Sequence, residues 1–317
     1  PVGWITGLIL ASTWLKVGLA GRLCARYVGY VMEREGLFAV LVATAYALSG
    51  YNIAYASKIM WLDGAAFLPL VLLGVEKILR ENKWGIFAAS LIYVFFTSYY
   101  IAFMIGFFAF LYLTAGWFAA PHPIVLKTYI RKLSIFLGGA VLAAGLCACI
   151  LLPAYYSLRH GQQEMWTVFG SPTLEKPFIH IAARLLPGVY DTLTDPGYPN
   201  IYASLPGLLL AVVFFTHKAI PLRKKLVFGG LLAFLFLSFS MNFLDLLWHA
   251  FEDPTWFPAR FSFVCTLLIP YLAMSVAREH ATLTVPATAG AVGFLALLTL
   301  EIGAGRYRNI SVQTLAV

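Results

Sequence analysis

The chain is 317 residues long, 61% of them apolar and only 11% charged, and its mean hydropathy of +0.82 lies far outside the usage of water-soluble domains. This excludes a soluble domain of any class and makes lipid the expected solvent. The formal charge of +8 is explained below by topology and by contact with anionic lipid, so it gives no reason to invoke nucleic acid.

A membrane-spanning helix needs about 20 mostly apolar residues. In chain order such runs are expected at 2–20, 36–56, 62–79, 84–97, 100–119, 133–155, 201–216, 226–243, 261–277 and 285–303, about ten in all. The fourth and fifth form one apolar stretch too long for a single straight span. It is divided at Thr97-Ser98-Tyr99-Tyr100, with a re-entrant pair as the other arrangement.

Alternate loops collect the basic residues, as the positive-inside rule requires. Fourteen lysines and arginines fall on one side, among them Arg22, Arg26, Arg80, Lys127, Arg223, Lys224 and Arg278. Seven fall on the other: Lys58, Arg159, Lys176, Arg184, Arg260, Arg306 and Arg308. The richer side is placed in the cytoplasm, so Asp63, Asp191, Asp245, Glu252 and Asp253 face outward. Lys16 and Glu76 are expected near inner helix ends, where long side chains snorkel to water. The four cysteines define neither a disulfide nor a metal framework. Residue 1 is Pro, so the chain is expected to start inside a longer protein.

Three outward segments are candidates for a site. The first, Ser57 to Gly64, leads into a helix. Asp63 there is expected to cap that helix, or to act as a catalytic acid residue or metal ligand, and Trp61 to anchor in the interface. The second, residues 157–200, is too long to be only a connector and reads as an extracytoplasmic loop lining a site. Within it Pro177 to Leu186 predicts a short helix ended by Pro187-Gly188 and lying on the membrane surface. Its Arg184 and His180, one turn apart, suit a lipid-linked phosphate or simple interfacial anchoring. Arg159 joins them as a candidate phosphate ligand. Asp191 and Asp195 before Pro196-Gly197 read as turn formers more than as a metal pair. The third, residues 242–260, is dense in aromatics and reads as an interfacial belt. It also holds His249 beside Glu252, a carboxylate–imidazole pair that can serve as general base, and Arg260.

Charges are scarce inside the expected spans, which argues against a proton pump, and no phosphate-binding Gly-x-x-x-x-Gly-Lys-Ser/Thr loop occurs, so ATP-driven transport has no engine here. No internal repeat is visible.

With these residues in view, the chain resembles the bacterial YfhO-type membrane proteins, which look like glycosyltransferases of the GT-C fold. The resemblance rests on Tyr46-Ala47-Leu48-Ser49-Gly50-Tyr51, Ile59-Met60-Trp61-Leu62-Asp63-Gly64, Leu68-Pro69-Leu70-Val71-Leu72-Leu73-Gly74, Ser98-Tyr99-Tyr100-Ile101, Leu186-Pro187-Gly188-Val189-Tyr190-Asp191, Pro199-Asn200-Ile201-Tyr202 and Trp256-Phe257-Pro258-Ala259-Arg260-Phe261-Ser262-Phe263. Their order and spacing cover most of the chain.

The resemblance implies a single all-α, polytopic transmembrane domain over residues 1–317 of a bacterial plasma membrane protein. It also implies an enzyme that takes a sugar from a polyprenyl-phosphate donor on the outer face and places it on a cell-envelope polymer of teichoic-acid type. Such enzymes generally keep an essential acid in a first outside loop, which is expected to lie upstream of residue 1. Within the chain the expected site residues are Asp63, His249 and Glu252 for acid–base work. Arg159, His180, Arg184 and Arg260 are expected to bind phosphate, with Asp191 also at the substrate and Tyr99 and Tyr100 at a lipid entrance. No Asp-x-Asp motif occurs, so a divalent metal has no assigned ligands. The alternatives are a transporter or flippase of a lipid-linked or small polar substrate, recognised by polar residues converging at mid-membrane depth, and a non-catalytic envelope-assembly subunit.

Overall fold

The computed structural model describes residues 2–33, 36–161, 173–189, 197–251, 257, 259–279 and 285–303; the side chains of residues 2, 158–161, 285, 287 and 301–303 stand outside that description. All regular structure among these residues is helical, apart from an isolated bridge between Leu174 and Met241. The helices are α1 (Val2–Met32), α2 (Leu37–Ala47), α3 (Gly50–Ala54), α4 (Ile59–Glu81), α5 (Gly85–Thr97), α6 (Tyr99–Ala119), α7 (Leu126–Leu146), α8 (Ala148–Gly161), α9 (Phe178–Ala183), α10 (Leu205–Thr216), α11 (Leu222–Ser240), α12 (Asn242–Trp248), α13 (Phe263–Arg278) and α14 (Val285–Gly303). A 3-10 turn, Arg260–Ser262, leads into α13.

Every expected span contains a helix. Among the described residues six segments are long and apolar enough to cross a bilayer by length and composition: Gly3–Met32, Leu37–Ala54, Ile59–Glu81, Tyr99–Ala119, Leu126–Leu146 and Arg260–Arg278. Gly85–Thr97, Ala148–Ser157, Leu205–Thr216 and Thr288–Leu300 are apolar but shorter. The division of the long apolar stretch falls where the tyrosines predict it. Ser98 is extended (φ −162°, ψ 98°), and its hydroxyl accepts from Ile101 N–H to cap α6.

Four expectations are corrected. First, α1 does not stop at residue 20; its 31 residues extend for about 46 Å, so Arg22 and Arg26 are helical rather than in a loop. Second, the run 36–56 is two helices, because the chain turns extended at Ser49. The carbonyls freed at that break are satisfied by Asn52, whose amide donates to Tyr46 O and Ala47 O at 3.1 Å each. Third, the run 133–155 breaks at Cys147 between α7 and α8. Fourth, Glu76 does not snorkel: it is buried, accepts from Tyr112 OH at 2.6 Å and pairs with Arg80 Nε at 3.0 Å.

Helix α4 organises the bundle. Pro69 has no N–H to offer the carbonyl of Ala65, one turn earlier, and Tyr46 OH supplies the missing donor at 2.5 Å. The helix ends where Asn82 adopts a left-handed conformation (φ 59°), its N–H donating to Ile78 O at 3.2 Å, and Lys132 donates to the same carbonyl at 3.0 Å. Gly74 lets α5 come so close that a Cβ there would meet Phe87 Cα and N at 2.5 Å. Helices α1 and α4 run parallel: Thr13 donates to Ala56 O, Lys16 to Ile59 O, and Tyr30 to Glu81. Connectivity therefore brings residues 49–63, 98–100, 176–184, 245–251, 257 and 259–262 to one end, and Glu33, Glu76, Arg80, Arg223 and Arg278 to the other. A backbone bond from Gly50 N–H to Tyr202 O (2.7 Å) ties the two halves of the chain at the first end; the approach leaves a Cβ at Gly50 only 3.5 Å from that oxygen.

Candidate functional site

At the first end the 3-10 turn and its approach present Arg260 to two aromatic faces. Ala259, at φ 61°, turns the backbone, and Asp245 Oδ1 accepts from its N–H at 3.2 Å. Arg260 Nε donates to Phe257 O at 3.1 Å, which orients the guanidinium with its carbon 5.4 Å from the Trp61 ring centre and 5.2 Å from that of Tyr100. A cation held over two aromatic faces is attracted by both ring quadrupoles. Around it, Tyr55, Trp61 and Phe257 meet edge to face at 5.1, 5.4 and 6.1 Å, with Lys58 over Phe257. Tyr51 adjoins Tyr55 and Phe263.

His249 stands behind Tyr100, ring centres 5.6 Å apart, with no exposed surface. Its Nδ1 lies 2.7 Å from the backbone carbonyl of Asp245 and 3.5 Å from Asp245 Oδ2. A carbonyl oxygen only accepts, so Nδ1 carries the proton and Nε2 is the basic nitrogen. Below, Phe239, Phe261 and Trp248 stack nearly parallel at 4.8 and 4.4 Å and make the floor rigid.

A second cluster lies on α9 and the segment that follows. His180 Nδ1 and Tyr198 OH are 2.9 Å apart, and the Arg184 guanidinium stands 4.9 Å over the same tyrosine ring. Burial, and then the charge of Arg184, hold the His180 imidazole below its ordinary range. The helix does form where the prolines predict it, with Pro177 at its start and Arg184 at its end. It does not present Arg184 to the surface, however: Ile181, Leu185 and Leu186 are buried and so is Arg184, at 6% exposure, whereas His180 is half-buried and Phe178 and Ile179 are exposed. The segment before it is anchored to the end of α11 by Glu175 N–H donating to Ser240 O at 2.8 Å and by the Ser240 hydroxyl donating to Lys176 O.

Asp63 is not a cap. Lys58 holds the cap position of α4, and Asp63, in the second turn, pairs with Lys16 at 2.7 Å; Lys16 thus faces this carboxylate instead of snorkelling inward. Trp61 and Asp63 are about 200° apart around the helix, so one faces Arg260 while the other faces α1. Trp61, Tyr100, His249 and Arg260 are therefore brought together, His180 and Arg184 form a separate pair, and Asp63 stands apart from both. Tyr99, beside Tyr100, is exposed at the start of α6. Arg159 falls within α8, but its side chain lies outside the described residues, as do Asp191 and Glu252 entirely. Among the described residues no three His, Cys, Asp or Glu gather as a metal centre would need.

Three groups were not singled out by sequence reasoning. The hydroxyls of Ser49, Tyr51 and Ser262 are buried at this end with no hydrogen-bond partner among the described residues. Tyr51 also lies within electrostatic range of Arg260. Their only signal was membership of the recurring strings around Tyr46 to Tyr51 and Arg260 to Phe263.

No curated protein and no solved structure matches the chain. A family model does: the one described as bacterial membrane protein YfhO covers residues 1–315, so this multi-pass helical chain belongs to the YfhO family.

Proposed function

We propose that the chain is the membrane body of a GT-C-type, inverting glycosyltransferase of the bacterial plasma membrane. In this reading it moves a sugar from a polyprenyl-phosphate donor to a cell-envelope polymer on the outer face. The observation that carries it is the Arg260 guanidinium held over Trp61 and Tyr100, with His249 and Asp245 directly behind Tyr100. The acceptor hydroxyl gives its proton to an outward-facing carboxylate, and its oxygen bonds to the anomeric carbon from the face opposite the donor phosphate. The carbon–oxygen bond to that phosphate breaks, its electron pair stays with the polyprenyl phosphate, and Arg260 balances the negative charge. The Asp245 carbonyl fixes the buried His249 imidazole, which supports Tyr100 from behind. Arg184 and His180 act on the donor's approach, and Tyr99 borders the lipid entrance. Asp63, engaged by Lys16, stands aside from proton transfer. Among the described residues the polar clusters, the Lys16–Asp63 pair near the start of α4 included, gather toward the helix ends rather than mid-membrane, which supports a transferase over a transporter.

The test is Arg260→Lys in membranes carrying the intact protein, with a radiolabelled polyprenyl-phosphate sugar. Lysine keeps the charge and loses the planar fork that stacks on two rings, so transfer falls on the order of tenfold or more at equal abundance. Wild-type transfer rates in that variant would overturn the assignment.

A further inference from the structure

The opposite end of the bundle holds a cavity of about 650 Å³ that the transferase reading does not use. Arg80, Trp117, Arg223, Lys224, Arg278 and three carboxylates are among the residues that line it. The carboxylates are already committed. Glu76 is held by Arg80 and Tyr112, Glu33 by Arg80 and Arg278 at 3.1 and 3.4 Å, and Glu279 by Lys224 at 3.4 Å.

Arg223 is different, because no carboxylate pairs with it among the described residues. Its Nε donates to Phe118 O and its Nη1 to His122 O at 3.0 Å, which caps the last turn of α6 and fixes the guanidinium plane. Its third nitrogen, Nη2, is buried and has no acceptor among the described residues. The Trp117 indole N–H is in the same condition, on a residue only 6% exposed whose ring rests 4.1 Å from that of His122. Two buried donors thus belong to residues that line the same cavity, and one of those residues is a cation with no carboxylate partner among the described residues. A buried donor without an acceptor is costly, and a group with several anionic oxygens removes the cost at both sites at once. The first turn of α11, which carries Arg223 and Lys224, adds the positive end of a helix dipole.

We infer that this cavity is a binding site for a phosphate ester, its phosphoryl oxygens accepting from Arg223 Nη2 and Trp117 Nε1. The volume exceeds that of a bare phosphate and leaves room for a glycerol-sized substituent. The ester belongs either to a phospholipid headgroup or to a soluble metabolite, and the two have the same chemistry at the site. The inference is independent of the transferase reading, since it concerns the other end of the molecule.

The experiment follows the melting midpoint of the full chain in neutral detergent, with chloride of equal ionic strength as control. One arm titrates sn-glycerol 3-phosphate; the other titrates dioctanoyl phosphatidylglycerol against dioctanoyl phosphatidylcholine. A rise with glycerol phosphate identifies a soluble ester as sufficient, whereas a rise with phosphatidylglycerol alone identifies the headgroup. In either arm Trp117→Phe, which keeps the ring and removes only the N–H, and Arg223→Lys each weaken the apparent affinity about tenfold. Gly106→Ala, on α6 with nothing within 4 Å and outside the cavity lining, leaves it unchanged. The inference fails if neither probe raises the wild-type midpoint, or if Trp117→Phe responds as the wild type does. Trp117→Phe decides the matter even if Arg223→Lys loses its cap on α6 and does not fold.

Discussion

His180 shows how a single side chain reports its surroundings. Held below its ordinary value of 6.5 by burial and by Arg184, it takes up a proton less readily in the folded chain than in the unfolded one. As pH falls through 6.5 toward the folded value, the unfolded state gains the proton first and stability declines; above 6.5 both forms are neutral and the contribution is flat. Thermal midpoints measured from about pH 7.5 down to about 5 should therefore slope downward, and His180→Asn, which retains a hydrogen-bonding group for Tyr198, should flatten part of that slope. An unaltered slope in the variant would show that other groups carry it. Lys16 and Asp63 teach the complementary point. Each was read alone, one as an inner-end cation and the other as a cap, because the pairing depends on the register of two helices 47 residues apart.

Helix packing depends on where glycine permits contact. Gly74→Ala drives a methyl group into the backbone of α5, where no rotamer can relieve it, and should cost about 1–3 kcal/mol or more. Gly106→Ala adds the same methyl on α6 with nothing within 4 Å, and should leave stability unchanged or slightly raised. Paired thermal melts in detergent check the contrast; equal losses would place the α4–α5 contact elsewhere. Apolar runs revealed the existence of the helices because lipid demands them, and Thr97-Ser98-Tyr99-Tyr100 marked a real break. The breaks at Ser49 and Cys147 were not legible. Cys147 lies within continuous apolar sequence and its N–H returns to local carbonyls, whereas Ser49-Gly50 is a turn dipeptide hidden by the apolar runs on either side, its break satisfied by Asn52. Arg260 was legible in its aromatic string, whereas its two-ring seat required α4 and α6 to meet it.

Across the molecule the polar residues divide between two ends, and charge bias gives those ends a direction. Glu175 is exposed at one and Lys218 at the other, while Cys149 is the exposed member of the four cysteines. In a Cys149→Ser background, Glu175→Cys should react with an impermeant maleimide on intact cells, and Lys218→Cys only after permeabilisation. The reverse pattern would invert the orientation and with it the side on which Arg260 meets a donor. The backbone bond from Gly50 to Tyr202 bears on the order of events during synthesis. The first six helices emerge from the ribosome long before Tyr202 does, so that end of the first half waits with an unfilled donor until the second half inserts. Closing so distant a contact makes the final docking slow, leaves truncated chains open at that end, and makes the two halves cooperate in unfolding.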